Sequence, residues 1–142
     1  MIEFKDVHKK YGKLEVLKGV NFTIKDGGII AILGPNGSGK TTSMKSFLGM
    51  VIPTKGDILF NGKSIKNQWA YREQISYLPQ IANFPNNLKV KELIAMIKNI
   101  KKLPCQDQEL IELFGLQRHL NKSLGNLSGG TKQKVNLVLT FM

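Results

Sequence analysis

The stretch Gly34-Pro35-Asn36-Gly37-Ser38-Gly39-Lys40-Thr41 leaves a chain of this kind few folds to choose from. Spaced glycines followed by Lys and then Ser or Thr form the Walker A pattern. Its backbone bends into a concave nest whose N–H groups converge on one anion. Lys40 brings a compact positive charge to the same point. Thr41 brings a hydroxyl suited to a phosphate-bound Mg²⁺, an ion that keeps most of its ligands as water and substrate oxygens. The flanks agree with the loop. Ile29-Ile30-Ala31-Ile32-Leu33 is a short unbroken apolar run, which predicts a strand buried on both faces of a parallel sheet. Behind the loop, Met44, Phe47, Leu48 and Val51 recur at i, i+3, i+4 and i+7. They predict an amphipathic helix that buries these four side chains and turns its positive N-terminal end toward the anion. A chance glycine turn lacks this order of strand, loop and helix.

Composition narrows the class further. A chain of 142 residues, 42% hydrophobic and 22% charged, has enough material for one domain with a core and is not a candidate for disorder. The single Cys105 cannot form an internal disulfide, and Glu3, Lys5 and Asp6 interrupt any apolar leader, so a reducing cytoplasm is the expected setting. No apolar run approaches the ~20 residues that span a bilayer, so a membrane role has to come through a partner. The net charge of +11 is spread along the chain without a dense block, which predicts a solvated basic surface rather than a nucleic-acid footprint.

Taken in order, Ile2 and Phe4, then Val20, Phe22 and Ile24, alternate with polar residues and predict two half-buried antiparallel strands, with Tyr11-Gly12 between them. Asp26-Gly27-Gly28 turns the chain into the apolar run. After the loop helix, Pro53-Thr54-Lys55-Gly56 reads as its stop. Asp57 to Phe60 followed by Asn61-Gly62 reads as a strand entering a tight hairpin. Trp69 to Gln74 predicts a short helix and Ile75 to Leu78 a further strand, closed by Pro79-Gln80. A Pro- and Asn-rich loop from Pro79 to Asn87 marks a shift in composition. Val90, Leu93, Ile94, Ile97 and Ile100 form a helical stripe, with Lys89, Lys91, Lys98, Lys101 and Lys102 mostly opposite. A second helix is expected from Asp107, as N-cap, to Phe114, with Gly115 as its stop.

A second polar, glycine-rich turn, Leu127-Ser128-Gly129-Gly130, precedes Thr131-Lys132-Gln133-Lys134-Val135 and a final helical stretch, 88 residues from Lys40 to Ser128. Paired with the first loop, it resembles the signature motif of ATP-binding cassette proteins, the nucleotide-binding domains of ABC transporters. The resemblance runs from Ile2 to the last residue. It implies an α/β fold: a P-loop NTPase (RecA-like) core with an N-terminal antiparallel β subdomain and a short helical insert. The expected divisions are about 1–82 for β subdomain and core, about 83–126 for the insert and 127–142 for the signature and the start of its helix.

The resemblance also implies a site. ATP and Mg²⁺ would be held by Gly34, Pro35, Asn36, Gly37, Ser38, Gly39, Lys40, Thr41 and Thr42, with Tyr11 and Val16 at the adenine. Thr41 and Gln80 would serve the metal, and Lys40 and Gln80 the reaction. Ser128, Gly129 and Gly130 would close over ATP held by a second cassette, in a head-to-tail homodimer or a pair with a different one. An integral membrane permease subunit is the implied partner, with the protein peripheral on the cytoplasmic membrane face and no direct nucleic acid contact. Two departures stand out. Thr131 occupies the place where the family commonly has Gln. The chain also reaches Met142 before the family's Walker B carboxylates and switch histidine, with His8 and His119 both upstream of the required position. The C-terminal part of a cassette is therefore expected to be missing, and this length is expected to bind ATP without turnover. A soluble cassette acting on nucleic acid or the ribosome is the alternative; the short insert argues against the DNA-repair branch, which carries a long coiled coil there.

Overall fold

The computed structural model describes residues 1–101 and 106–142; Lys102 and Cys105, both invoked above, lie outside the described residues. The chain gathers into two units, Met1–Ile75 and Ser76–Met142, each with its own core.

In the first unit, β1 (Ile2–Tyr11) and β2 (Leu14–Ile24) form an antiparallel hairpin in which Ile2 faces Ile24 and Phe4 faces Phe22, as the alternation predicts. The other edge of β1 pairs antiparallel with β3 (Lys55–Phe60), which turns through Asn61 and Gly62 into the short β4 (Lys63–Ser64), giving the order β2-β1-β3-β4. Asn61 and Gly62 both have positive φ, the conformation that a two-residue hairpin turn demands. A bulge at Asp6, whose φ is 48°, breaks the strand's two-residue period. It lets Val7 enter the same core as Phe4, where an unbroken strand would send Asp6 inward. Phe4, Val7, Leu17 and Ile58 are buried, and Phe22 stacks on Phe4 with ring centroids 4.3 Å apart. Each such side chain removed from water contributes roughly 1.5–3 kcal/mol.

Two expectations fail here. Ile29–Leu33 forms no strand; Ile29 is fully exposed and Leu33 nearly so. Ile75–Leu78 is likewise unpaired. Hydrophobicity makes burial favourable, but a strand also needs ladder partners for its amides and carbonyls, and no parallel ladder forms among the described residues. The loop helix α1 (Lys40–Phe47) is present but rotated from the expected stripe: Ser43 and Ser46 are its buried residues, while Met44 is half exposed. Two small side chains let the helix lie close to the antiparallel sheet, with Phe47 completing that face. It also stops earlier than Pro53. Gly49, at φ 68°, donates its N–H to the Ser46 carbonyl and Met50 donates to that of Lys45, a Schellman ending that leaves Leu48 as cap and Val51 outside the helix. The short helix expected at Trp69–Gln74 is a 3₁₀ segment, Ala70–Gln74.

The second unit is helical. In α2 (Val90–Lys101) the stripe is buried at Val90, Leu93 and Ile94, half-buried at Ile97, and exposed by Ile100. The α3 helix (Asp107–Leu113) begins one residue earlier than expected, with Gln106 at the cap, because the Asp107 carboxylate accepts from Lys98 Nζ at 2.7 Å instead of capping. Phe114 caps its end and Gly115, at φ 63°, stops it as predicted. Val135 and Val138 of α4 (Gly129–Phe141) are fully buried and join Leu116, Leu124 and the α2 face in one core.

Candidate nucleotide-binding site

The first glycine loop runs from Gly34 to Gly39 into the first turn of α1. Gly39 is the cap position, with φ 90° and no side-chain cap, so the amides of the first helical turn stay open to an anion. A Cβ on Gly39 would lie 2.7 Å from Leu17 Cδ2 and 3.0 Å from the Val16 carbonyl oxygen; the absence of a side chain is what lets the loop rest on β2. The same contact sets Val16 beside the loop. Gly37, at φ 82°, supplies the second left-handed residue of the nest. Lys40 Nζ folds back over the loop and donates to the carbonyls of Gly34 and Pro35, each at 2.7 Å. Pro35, Asn36, Ser38 and Thr41 are exposed and Thr42 half-buried. Loop amides, an ammonium drawn over them and an uncapped helix end make a donor set for phosphate oxygens. Tyr11, half exposed at the end of β1, has the Lys9 ammonium 5.0 Å from its ring centroid.

In the second unit Ser128 is the N-cap of α4, accepting from the Thr131 N–H at 3.3 Å, and the two hydroxyl oxygens are 2.9 Å apart. Thr131, in the place of the family's usual Gln, therefore helps hold the serine. Gly129 and Gly130 lie in the first helical turn with nothing within 4 Å of where a Cβ would stand. Gln80 is exposed, and the residue before it is anchored: the Pro79 carbonyl accepts from Asn136 Nδ2 at 3.3 Å and Gln133 Nε2 at 3.4 Å. The sequence reading missed this tie. Its signal was Asn136, a polar residue on the apolar side of α4 that turns out to be buried.

Among the described residues no cluster of three or more His, Cys, Asp or Glu side chains is placed to hold a metal ion, and no helix is long and apolar enough to cross a membrane. The Thr41 hydroxyl and the Gln80 side-chain carbonyl are oxygen donors of the hard kind that suits Mg²⁺.

Comparison with known proteins gives the family. The chain is 36% identical to the spermidine/putrescine import ATP-binding protein PotA of Clostridium novyi, over 95% of this chain and 40% of that protein. It is 31% identical to the Nod factor export ATP-binding protein I of Burkholderia orbicola, over 96% of this chain and 47% of that one. The dimeric structure of MJ0796, described as a bacterial ABC transporter cassette, superposes with a TM-score of 0.83 at 26% identity, over 99% of this chain and 68% of that one. The chain thus spans less than half the length of these curated relatives. The family model described as ABC transporter matches residues 17–142, from β2 through both glycine turns to the end of α4, and the chain belongs to that family.

Proposed function

We propose that this chain is the nucleotide-binding part of an ATP-driven transporter subunit. One observation carries the reading: an uncapped helix start at Gly39–Lys40, with left-handed glycines before it and the Lys40 ammonium held over it. The loop amides would take the phosphates of ATP, and Lys40 Nζ would exchange the Gly34 and Pro35 carbonyls for the outer phosphate oxygens, a stronger charge-assisted pairing. Tyr11 would stack on adenine with Val16 beneath the same nucleotide. Thr41 and Gln80 would hold Mg²⁺, which would supply positive charge to offset that of the phosphates. Pro79's hydrogen bonds to α4 would fix the backbone from which Gln80 reaches out.

The Ser128-Gly129-Gly130 turn would face ATP held by a second cassette, and the bare surface over both glycines supports this. The dimeric state of the similar cassette supports it too. ATP-driven closure of such a pair would move separate membrane subunits, with this protein peripheral on the cytoplasmic face. The test is calorimetric titration of Mg-ATP into Lys40→Ala. Loss of a charged contact of ~1.5–3 kcal/mol should weaken binding roughly tenfold to a hundredfold. Equal affinity in the variant and the parent would remove the loop from the argument.

A further inference from the structure

The first unit holds a cavity of about 320 Å³ on the side of α1 that carries Ser46. Its floor is Ser46, 1% exposed, whose hydroxyl has no hydrogen-bond partner among the described residues. Ile58 and Ile65 form apolar walls, and Trp69, the only tryptophan of the chain, stands at the mouth 68% exposed. The field is positive. Asp57 already accepts from Ser64 Oγ at 2.8 Å and the Ile58 N–H at 2.9 Å, and Lys55 is paired with Asp6 at 2.8 Å. Lys66 has no side-chain partner among the described residues. Arg72 gives one donor to the Gly49 carbonyl at 3.4 Å, which leaves others free.

The walls are fixed before anything enters. Thr54 donates its N–H to the His8 carbonyl at 2.8 Å and Lys9 Nζ donates to the Ile52 carbonyl at 2.7 Å, pinning the α1–β3 connection to β1. Tyr71 Oη donates to the Phe47 carbonyl at 2.8 Å, pinning the 3₁₀ segment to the end of α1. The volume lies within the range of small-molecule sites, and so does the mixture of apolar walls with a few polar groups. The geometry points to a binding site for a small aromatic acid: a planar ring against Trp69 and the isoleucines, and an anionic group toward Lys66 and Arg72.

The probe is 1-naphthoate, with neutral 1-naphthol as its matched control, titrated into the protein while following amide and indole resonances by NMR. The single Trp69 indole N–H reports from the mouth. Saturable shifts of that resonance and of the Gly49 and Gly56 amides, with the Gly37 and Gly39 amides still, are the expected result. Lys66→Glu, at the surface, should weaken naphthoate about tenfold and leave naphthol unchanged. Trp69→Ala, at an exposed position, should weaken both about tenfold, read at the Gly49 and Gly56 amides, while Mg-ATP still binds. An unmoved indole in the parent, equal binding of acid and alcohol, or unchanged binding in Trp69→Ala would each overturn the site.

Discussion

The two glycine-rich turns, one in each unit, look alike in sequence and are built differently. In the first, Gly37 and Gly39 sit at φ 82° and 90°, and Gly39 also lies against Val16 and Leu17, so the fold itself demands glycine there. In the second, Ser128 caps α4 with its own side chain, and Gly129 and Gly130 are helical residues over open space. Nothing among the described residues requires those two to be glycine, and in a helix glycine costs up to ~1 kcal/mol relative to alanine. A residue kept bare against its own helix propensity suits a surface that another body approaches. On the proposed function, the first turn would serve a ligand of its own chain and the second one brought by a partner.

The largest expected effect breaks the first turn. Gly39→Ala should destabilise the first unit by about 2–4 kcal/mol, the sum of a left-handed alanine and its collision with the Val16 carbonyl. Urea unfolding followed by Trp69 fluorescence reads it; a shift below half a kcal/mol would mean the loop does not rest on β2. Ser128→Ala removes the only side-chain cap of α4 and should cost ~1 kcal/mol in the helical signal of the second unit. The Thr131 hydroxyl then has no partner to share, so Thr131→Ala on top should cost little more. Smaller still, and opposite in sign, Gly130→Ala should leave folding unchanged or firmer by a few tenths to ~1 kcal/mol. On the proposed function it should nonetheless weaken ATP-induced dimers. Normal dimers by light scattering would show that the bare patch meets no partner.

The same contrast explains which parts of the molecule were legible in the sequence. Local chemistry could be read directly: the Asn61-Gly62 turn, the Gly115 stop, the α2 stripe and the alternation of β1 and β2 all follow from neighbours a few residues away. Long-range pairing could not. That β1 lies between β2 and β3 depends on a register set across the chain, and the Asp6 bulge that brings Val7 inward leaves no periodic trace. Ile29–Leu33 failed in the other direction, since five apolar residues state a preference for burial and nothing about a ladder partner. At the site, residue types announced the phosphate loop, but the direction of Lys40 and the Gly39–Val16 contact are tertiary facts. α1 was misread because close packing selected Ser43 and Ser46, which a hydrophobicity pattern ignores.

The finest distinction between the two units is in their histidines. His8 lies between two carboxylates, Glu15 at 3.2 Å from Nδ1 and Asp6 at 2.9 Å from Nε2, with Lys55 and Lys10 beyond them. The hydrogen bond to Glu15, then that to Asp6, raises the His8 pKa above its ordinary 6.5. His119 is the reverse: removal from solvent, then the charges of Lys122, Arg118 and Lys134, lowers its pKa. Its Nδ1 is buried without a partner among the described residues, and Nε2 accepts from Arg118 Nε at 3.3 Å, as a neutral ring would. The signs follow by linkage. A raised pKa stabilises the fold fully below 6.5, and the gain is lost as pH rises through the folded value. A lowered pKa stabilises it above 6.5, and that gain is lost as pH falls toward the folded value. Between pH 5.5 and 8 the first unit, read by Trp69 fluorescence, should therefore become slightly less stable, and the second, read by helical circular dichroism, slightly more. His8→Gln should flatten only the first trend and His119→Gln only the second. Two midpoints that move together in the parent would mean that the units melt as one. Trends that survive both substitutions would place the titrating groups elsewhere.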